Sequence, residues 1–155
     1  MATQLAGLRQ QRAEVAEQVE ELVAKHPLSK VLTTMPGVGV RTCARILTEV
    51  VGKDFPTAGH LASYAGLAPV TRRSGSSIRG EDPPRGDNKT LKRAMFLSAF
   101  AALRDPVSRA YYDRKIRQGK RHNEALIALA RRRTDVLYAM LRDHKPYLAP
   151  VPAAA

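Results

Sequence analysis

Three serines lie in a short segment rich in arginine and glycine, and a serine hydroxyl is a side chain that can attack a phosphodiester. The serines are Ser74, Ser76 and Ser77, and the arginines around them are Arg72, Arg73, Arg79 and Arg85. Guanidinium groups bind phosphate oxygens through paired hydrogen bonds and offset the charge that develops during attack. The residues show no general base beside these serines, and a Ser-Gly-Ser-Ser segment is also an ordinary turn. The residues alone therefore leave both a nucleophile and a structural turn open.

A second candidate site is the Pro-Gly-Val-Gly turn at residues 36–39, which a predicted helix follows. Its glycines, Gly37 and Gly39, favour a tight turn that exposes backbone amides at the helix N-terminus, where they can bind phosphate oxygens. Arg41 and Arg45 lie one helical turn apart just beyond it and would add positive charge. The turn resembles the hairpin of a helix-hairpin-helix, which binds DNA without reading its sequence. A purely structural αα-hairpin is the alternative.

Positive charge is concentrated in the second half of the chain. Residues 1–70 carry seven basic and six acidic side chains, whereas residues 71–155 carry 19 basic and eight acidic ones. Such an excess favours nucleic acid as a partner, with a solvated arginine-rich surface as the alternative. Basic residues on the predicted helices of this half, and at the junction before the last of them, are expected to contact nucleic acid: Lys89, Lys92, Arg93, Lys120, Arg121, Arg131 and Arg132. Tyr111 and Tyr112 between them could stack on bases or pack in the core.

Apolar periodicity predicts an all-α fold. The predicted helices are residues 2–25, two helices within 28–51 (helix-hairpin-helix-like over 30–51), 57–65, 89–103, 105–118 and 122–142. Thr57 and Asp105 are predicted helix N-caps. Residues 70–88 have no apolar period and are predicted to be an irregular serine-arginine loop. We therefore expect a domain over residues 28–145 and a disordered tail over 146–155.

The first helix has the spacing of a coiled coil. Apolar residues and one arginine alternate three and four residues apart, at Leu5, Leu8, Arg12, Val15, Val19 and Leu22. Only about three heptads are present, so an amphipathic helix that packs on its own domain is the alternative. Residues 1–26 are therefore predicted to be a coiled-coil or linker helix.

Several classes of protein are not expected. Cys43 is the only cysteine and the four histidines are far apart, so the sequence predicts neither a disulfide nor a metal site. No apolar run is long enough for a membrane span, and the N-terminal residues lack the apolar core of a secretion signal. We expect a cytoplasmic protein with no membrane partner.

Four segments together resemble the C-terminal domain of the IS-one-ten (IS110) family of insertion-sequence transposases. They are LTTMPGVGVRTCARILTEV, FPTAGHLASYAGLAPVTRRSGSS, GDNKTLKRAMFLSAFAALR and the basic helices that lead to RDHKPY. The resemblance is ordered along the chain and covers about residues 28–145. Each motif alone is weak, but their order is specific. The segment GEDPPRGDN departs from the family pattern because it is proline-rich and more acidic.

The resemblance implies a DNA transposition enzyme whose serine forms a covalent link to a DNA phosphate. It places that serine at Ser74, with Ser76 and Ser77 as alternatives, and assigns Arg72, Arg73 and Arg79 to the scissile phosphate. It implies DNA and a structured guide RNA as partners, and a homo-oligomer formed through residues 1–25. Mg²⁺ is expected only in an N-terminal RuvC-like domain with four acidic residues, and no cofactor in this chain. A protein associated with the nucleoid is expected.

Because the chain begins where that acidic domain should end, a truncated protein that is inactive alone is also expected. Two other functions stay open. One is a helix-hairpin-helix module that binds DNA without catalysis. The other is a remnant that associates with intact transposase.

Overall fold

The computed structural model describes residues 1–68, 70–74, 77–82 and 87–150. The helices are α1 (Ala2–Lys25), α2 (Pro27–Leu32), α3 (Val40–Val50), α4 (Ala58–Tyr64), α5 (Lys89–Ala101), α6 (Pro106–Arg117) and α7 (His122–Asp143). A single 3₁₀ turn, Ala102–Arg104, follows α5, and two strands, β1 (Val70–Ser74) and β2 (Ser77–Asp82), lie between α4 and α5. The helices form the core of the described residues, which confirms the all-α class.

Local capping explains where several helices begin and end. Thr57 Oγ1 accepts a hydrogen bond from the His60 amide (3.3 Å) at the start of α4, and Asp105 Oδ2 accepts one from the Ser108 amide (3.0 Å) at the start of α6. Both predicted caps are confirmed. Gly119 ends α6 with φ +87°, a conformation that glycine adopts without strain.

The core is built around α5, which packs against α3 on one side and α7 on the other. The largest wholly buried apolar side chains include Leu32, Met35, Ile46, Leu61, Leu91, Met95 and Leu137. Cys43 of α3 is also buried, and burial raises the pKa of its thiol, so the thiol stays protonated at neutral pH.

The predicted irregular loop over residues 70–88 is wrong for residues 70–74 and 77–82. Val70–Ser74 and Ser77–Asp82 form an antiparallel hairpin, in which Val70 pairs with Asp82 and Ser74 with Ser77. The register is irregular between Thr71 and Arg73. Strand pairing uses backbone amides and carbonyls, so it can form where the side chains show no apolar alternation.

Helix α1 lies along the edge of the domain, with Val23 as its only buried residue. Leu8, Val15 and Leu22 of the predicted coiled-coil stripe are each more than half exposed. At the other end of the chain, the Tyr147 amide donates a hydrogen bond to Thr34 Oγ1 (2.8 Å), and Tyr147 is half-buried. The predicted disordered tail is thus held to the domain at Tyr147, and residues 151–155 of it lie outside the described residues.

Candidate nucleic-acid interface

Gly37 of the Pro-Gly-Val-Gly turn has a structural reason to be glycine. Its φ is +82°, and a Cβ there would overlap the Ser98 carbonyl oxygen and lie 2.8 Å from the Ala102 amide nitrogen. The turn therefore approaches the C-terminal end of α5 more closely than any side chain would allow. A substitution of Gly37 would disturb the fold, so it could not report on nucleic-acid binding alone.

Gly39 has open space around it instead. It is the N-cap of α3, and a Cβ added there would meet no atom within 4 Å. It provides no side chain to satisfy the first amides of α3, which belong to Val40, Arg41 and Thr42. Unpaired amides at the positive end of a helix bind anions well. Of the two glycines, Gly39 is therefore the better candidate for the predicted phosphate-binding site.

Four arginines surround a groove between α1 and α3, beside that helix end. The groove has a volume of about 530 Å³, and the arginines that line it are Arg9, Arg12, Arg41 and Arg45. All four are exposed. Glu20 is the acidic residue in its lining, and the ion pairs of the described residues use other cations. We call this feature the arginine groove.

Arg41 and Arg45 are predicted from the sequence, whereas Arg9 and Arg12 are not. The two missed residues belong to α1, and only the folded chain places α1 against α3. One signal was present, since Arg12 interrupts the apolar stripe of α1. A cation within an apolar stripe is unfavourable unless something polar lies beside it.

Arg133 of α7 holds the Pro-Gly-Val-Gly turn in place from the inside. It is 5% exposed, and its Nη2 donates hydrogen bonds to the Pro36 carbonyl and to Ser98 Oγ (2.7 Å). Its Nε has no partner among the described residues. Burial lowers the pKa of Arg133 to about 10, so it stays charged at neutral pH.

A polar cluster joins α4 to the start of α5, at the base of the hairpin. Asn88 caps α5, and its Nδ2 donates hydrogen bonds to Tyr64 Oη (2.8 Å) and to Glu49. The Asn88 amide also donates to the Tyr64 carbonyl (2.9 Å). These contacts bring together two of the sequence motifs, Tyr-Ala-Gly-Leu-Ala-Pro and Gly-Asp-Asn-Lys. They fix both ends of the segment that carries the serines.

Within that segment, Ser74 and Ser77 form the terminal backbone pair of the hairpin. Arg72, Arg73 and Arg79 belong to the same two strands. Ser76 and Arg85 lie outside the described residues. The roles assigned to these residues stay predictions.

The predicted cations of α5 and α7 have different surroundings. Lys92 Nζ lies 3.1 Å from Asp87 Oδ2. Lys89 and Arg93 are exposed and border a shallow depression of about 270 Å³ on α5. Lys120 and Arg121 are exposed before α7.

Two predicted cations in the middle of α7 have neighbours of their own. Arg131 pairs with Asp135 one turn further along the helix. The Arg132 guanidinium lies 4.9 Å from the centre of the Tyr111 ring. Arg114 and Lys115 lie 5.1 and 5.4 Å from the same ring centre, so three cations surround Tyr111.

Neither a metal cluster nor a membrane span emerges in the described part of the chain. It contains no group of three or more histidine, cysteine, aspartate or glutamate residues placed to hold a metal ion. None of its helices has the length and apolar character needed to cross a membrane.

The chain is similar to a known protein family over more than half of its length. The model of the transposase IS116/IS110/IS902 family matches residues 29–113. The chain belongs to this transposase family. The matched region runs from α2 through the Pro-Gly-Val-Gly turn, the hairpin and α5 into α6, so it includes Arg41, Arg45 and Ser74.

Curated relatives of the transposase family agree with this assignment. A 43.6 kDa protein of insertion element IS110 from Streptomyces coelicolor is 57% identical over 99% of the chain. A 42 kDa protein of insertion element IS900 from Mycobacterium paratuberculosis is 43% identical over 95% of it. A pilin gene-inverting protein of Moraxella bovis is 33% identical over 77% of it. In each case the match covers 38% of the relative's length.

Proposed function

We propose that this chain binds DNA, together with a structured guide RNA, in the arginine groove and acts in DNA transposition. The observation that carries the proposal is the groove itself, with four exposed guanidinium groups from two helices beside the uncapped N-terminus of α3. Arginines bind the phosphate backbone without regard to base sequence, as a duplex or a folded RNA would require. Membership of the transposase family supports nucleic acid as the partner.

Gly39 offers a sharp test of the groove. In Gly39→Asp the new carboxylate fits the open space and caps α3, so the free energy of unfolding should stay constant or rise by a few tenths of a kcal/mol. The same carboxylate occupies the amides and repels phosphate, so affinity for a DNA duplex should fall about tenfold. Fluorescence anisotropy and urea unfolding measure the two effects.

Gly39→Asn is the matched control, because asparagine caps the helix without a charge. It should weaken binding less than Gly39→Asp does. Equal affinity of wild type and Gly39→Asp for duplex DNA and for folded RNA would overturn the groove as their binding site.

We further propose that Ser74 is the nucleophile for strand cleavage. Its Oγ would form a bond to the phosphorus while the bond from phosphorus to the 3′ oxygen breaks. The serine proton leaves to solvent or a base, and the 3′ oxygen takes up a proton. The Ser-Gly motif beside arginines in the family-like order supports Ser74, with Ser76 and Ser77 as alternatives.

The serine proposal is tested by trapping the covalent product. The chain is incubated with DNA from the ends of an insertion element, with and without a full-length relative, and is then denatured. Ser74→Ala should abolish the protein–DNA adduct, whereas Ser76→Ala and Ser77→Ala should retain it. An unchanged yield with Ser74→Ala would exclude Ser74. Loss of the adduct in Ser76→Ala or Ser77→Ala instead would identify that serine as the nucleophile.

We also propose that residues 1–25 join copies of the chain. The supporting observation is the apolar stripe of α1, where Leu8, Val15 and Leu22 are 64%, 58% and 67% exposed. A Leu8→Gln/Val15→Gln/Leu22→Gln variant should shift the mass measured by light scattering toward the monomer. Lys25→Gln, at the C-terminal end of the same helix, is the control. A wild type that is monomeric at high concentration would contradict this proposal.

The metal chemistry of the reaction belongs to the proposal as well. We propose that Mg²⁺ is held by an acidic RuvC-like domain, in the part of the longer relatives outside the matched region, and that the chain works with such a domain at the nucleoid. Mixing the chain with that domain and Mg²⁺ should produce strand cleavage that neither component gives alone.

A further inference from the structure

An exposed aromatic side chain on α5 stands beside a pair of rings from α6 and α7. Phe100 is 55% exposed, and its ring centre lies 6.5 Å from that of His122, nearly perpendicular to it. His122 in turn lies 5.8 Å from Tyr112, also edge to face. Three helices therefore contribute one ring each to a small aromatic surface.

The two supporting rings are fixed in position. Tyr112 Oη and His122 Nδ1 share a hydrogen bond of 2.7 Å. The Arg109 guanidinium lies 5.8 Å from the Tyr112 ring centre and is itself bonded to Asp113 at 3.0 Å. Tyr112 and His122 are engaged in this way, and more than half of the surface of Phe100 is open.

Cations line the same face of α5. Lys89, Arg93, Phe96 and Phe100 follow one another at spacings of four, three and four residues, which places them on one side of the helix. Lys89 and Arg93 are exposed and border the shallow depression together with Phe96 and Ile127. This face of α5 runs from the base of the serine hairpin to Phe100, about 16 Å along the helix axis.

We propose that this face, which we call the α5 track, binds unpaired nucleotides. Lys89 and Arg93 hold phosphates, and a base stacks on Phe100 against the wall formed by His122. An aromatic ring with an open surface suits a single strand, because the bases of a duplex are already stacked on one another. The inference rests on the proposed nucleic-acid function and adds a site outside the arginine groove.

The absence of tryptophan from the sequence provides a direct test. Phe100→Trp creates a single fluorescent reporter at the proposed stacking position, where exposure leaves room for the larger ring. Its emission should be quenched saturably by a single strand of about 12 thymidines or uridines, and not by a matched duplex. Comparison of the two single strands distinguishes DNA from RNA as the source of the base.

Val51→Trp is the matched control, since Val51 is 49% exposed and lines a different cavity, together with Tyr138 and Arg142 of α7. It should show no quenching. In a second measurement, Phe100→Ala should weaken single-strand binding by roughly five- to a hundredfold. Equal quenching in the two tryptophan variants, no quenching of Phe100→Trp by either strand, or unchanged single-strand affinity of Phe100→Ala would overturn the α5 track.

The outcomes for the groove and the track are separable. If the arginine groove alone is wrong, Gly39→Asp leaves duplex binding intact while the Phe100→Trp signal still responds to single strands. If the track alone is wrong, Gly39→Asp weakens duplex binding and the Phe100→Trp signal stays constant.

Discussion

The arginines of the arginine groove and those in the middle of α7 have the same chemistry but different surroundings. Arg9, Arg12, Arg41 and Arg45 are exposed around an open groove and take no part in the ion pairs of the described residues. In α7, three consecutive arginines each have a partner within the protein. Arg131 pairs with Asp135, Arg132 lies over Tyr111, and Arg133 bonds to Pro36 and Ser98.

This comparison shows why net charge is a poor guide to a binding surface. The groove belongs to residues 1–70, which are nearly neutral, whereas α7 belongs to the strongly basic half. Six acidic side chains offset the seven basic ones of the first half, but helical periodicity places three of the six, Glu14, Glu17 and Glu21, on the side of α1 opposite Arg12. The position of a charge and its partners matter more than the total.

The largest expected difference is between the effects of Arg133 and Arg132 on the free energy of unfolding. Arg133→Ala should lower the free energy of unfolding by about 3–4 kcal/mol, because it leaves the Pro36 carbonyl unsatisfied and empties a buried site. Arg132→Ala should cost about 1 kcal/mol or less, since only a contact with the Tyr111 ring is lost. Urea unfolding of the two variants measures the difference. Similar losses of unfolding free energy in the two variants would mean that the burial of Arg133 does not make it more important for stability than Arg132.

The next effect concerns binding. Arg41→Gln/Arg45→Gln should weaken duplex DNA binding about tenfold at moderate salt and reduce the salt slope by about two, with the free energy of unfolding changed by less than about 0.5 kcal/mol. Arg131→Gln/Arg142→Gln removes the same charge from two ion-paired arginines and should change the affinity much less. Equal losses in both double variants would show that total charge, rather than the groove, determines binding.

Most helices could be predicted from the sequence because their signals are local. The caps Thr57 and Asp105 and the apolar spacing of α5 are read within one or two helical turns. Arg133 carried a signal of burial too, because it stands among Leu126, Leu129 and Leu137 in the apolar stripe of α7. A charged residue at a core position of a helix indicates a buried hydrogen-bonding partner.

The hairpin and the groove could not be predicted in this way. Val70–Ser74 and Ser77–Asp82 contain few apolar residues, so their pairing leaves no period-two pattern in the sequence. The groove and the aromatic surface at Phe100 each need residues from separate helices, and their distances follow only from packing. The sequence contains the residues of these features, but nothing local indicates which helices meet.

A third effect tests whether Asn88 joins separate parts of the fold, as Arg133 does, or only caps a helix. Asn88→Ala should lower the free energy of unfolding by about 2 kcal/mol, because it removes the cap of α5 and the bonds to Tyr64 and Glu49. Asn88→Ser keeps a capping oxygen but has no amide, so it should cost about half as much. Thermal or urea unfolding checks the order. Equal stability of wild type and Asn88→Ser would show that the cap is the whole contribution.

The smallest expected effect concerns Lys92, the α5 cation whose partner is an acid rather than a phosphate. The hydrogen bond from Lys92 lowers the pKa of Asp87 below its ordinary value of 3.8. Because the unfolded chain then binds a proton more readily, this contribution to stability is present above that value and is lost as the pH falls through the folded pKa.

The difference in unfolding free energy between wild type and Asp87→Asn should therefore be constant well above pH 3.8 and shrink as the pH falls below that value. In a Lys92→Met background the same substitution should give a difference that varies much less with pH, because the cation that lowers the pKa is gone. A pH dependence that persists in that background would show that Lys92 does not hold Asp87 in solution. Lys92 would then be available to bind phosphate.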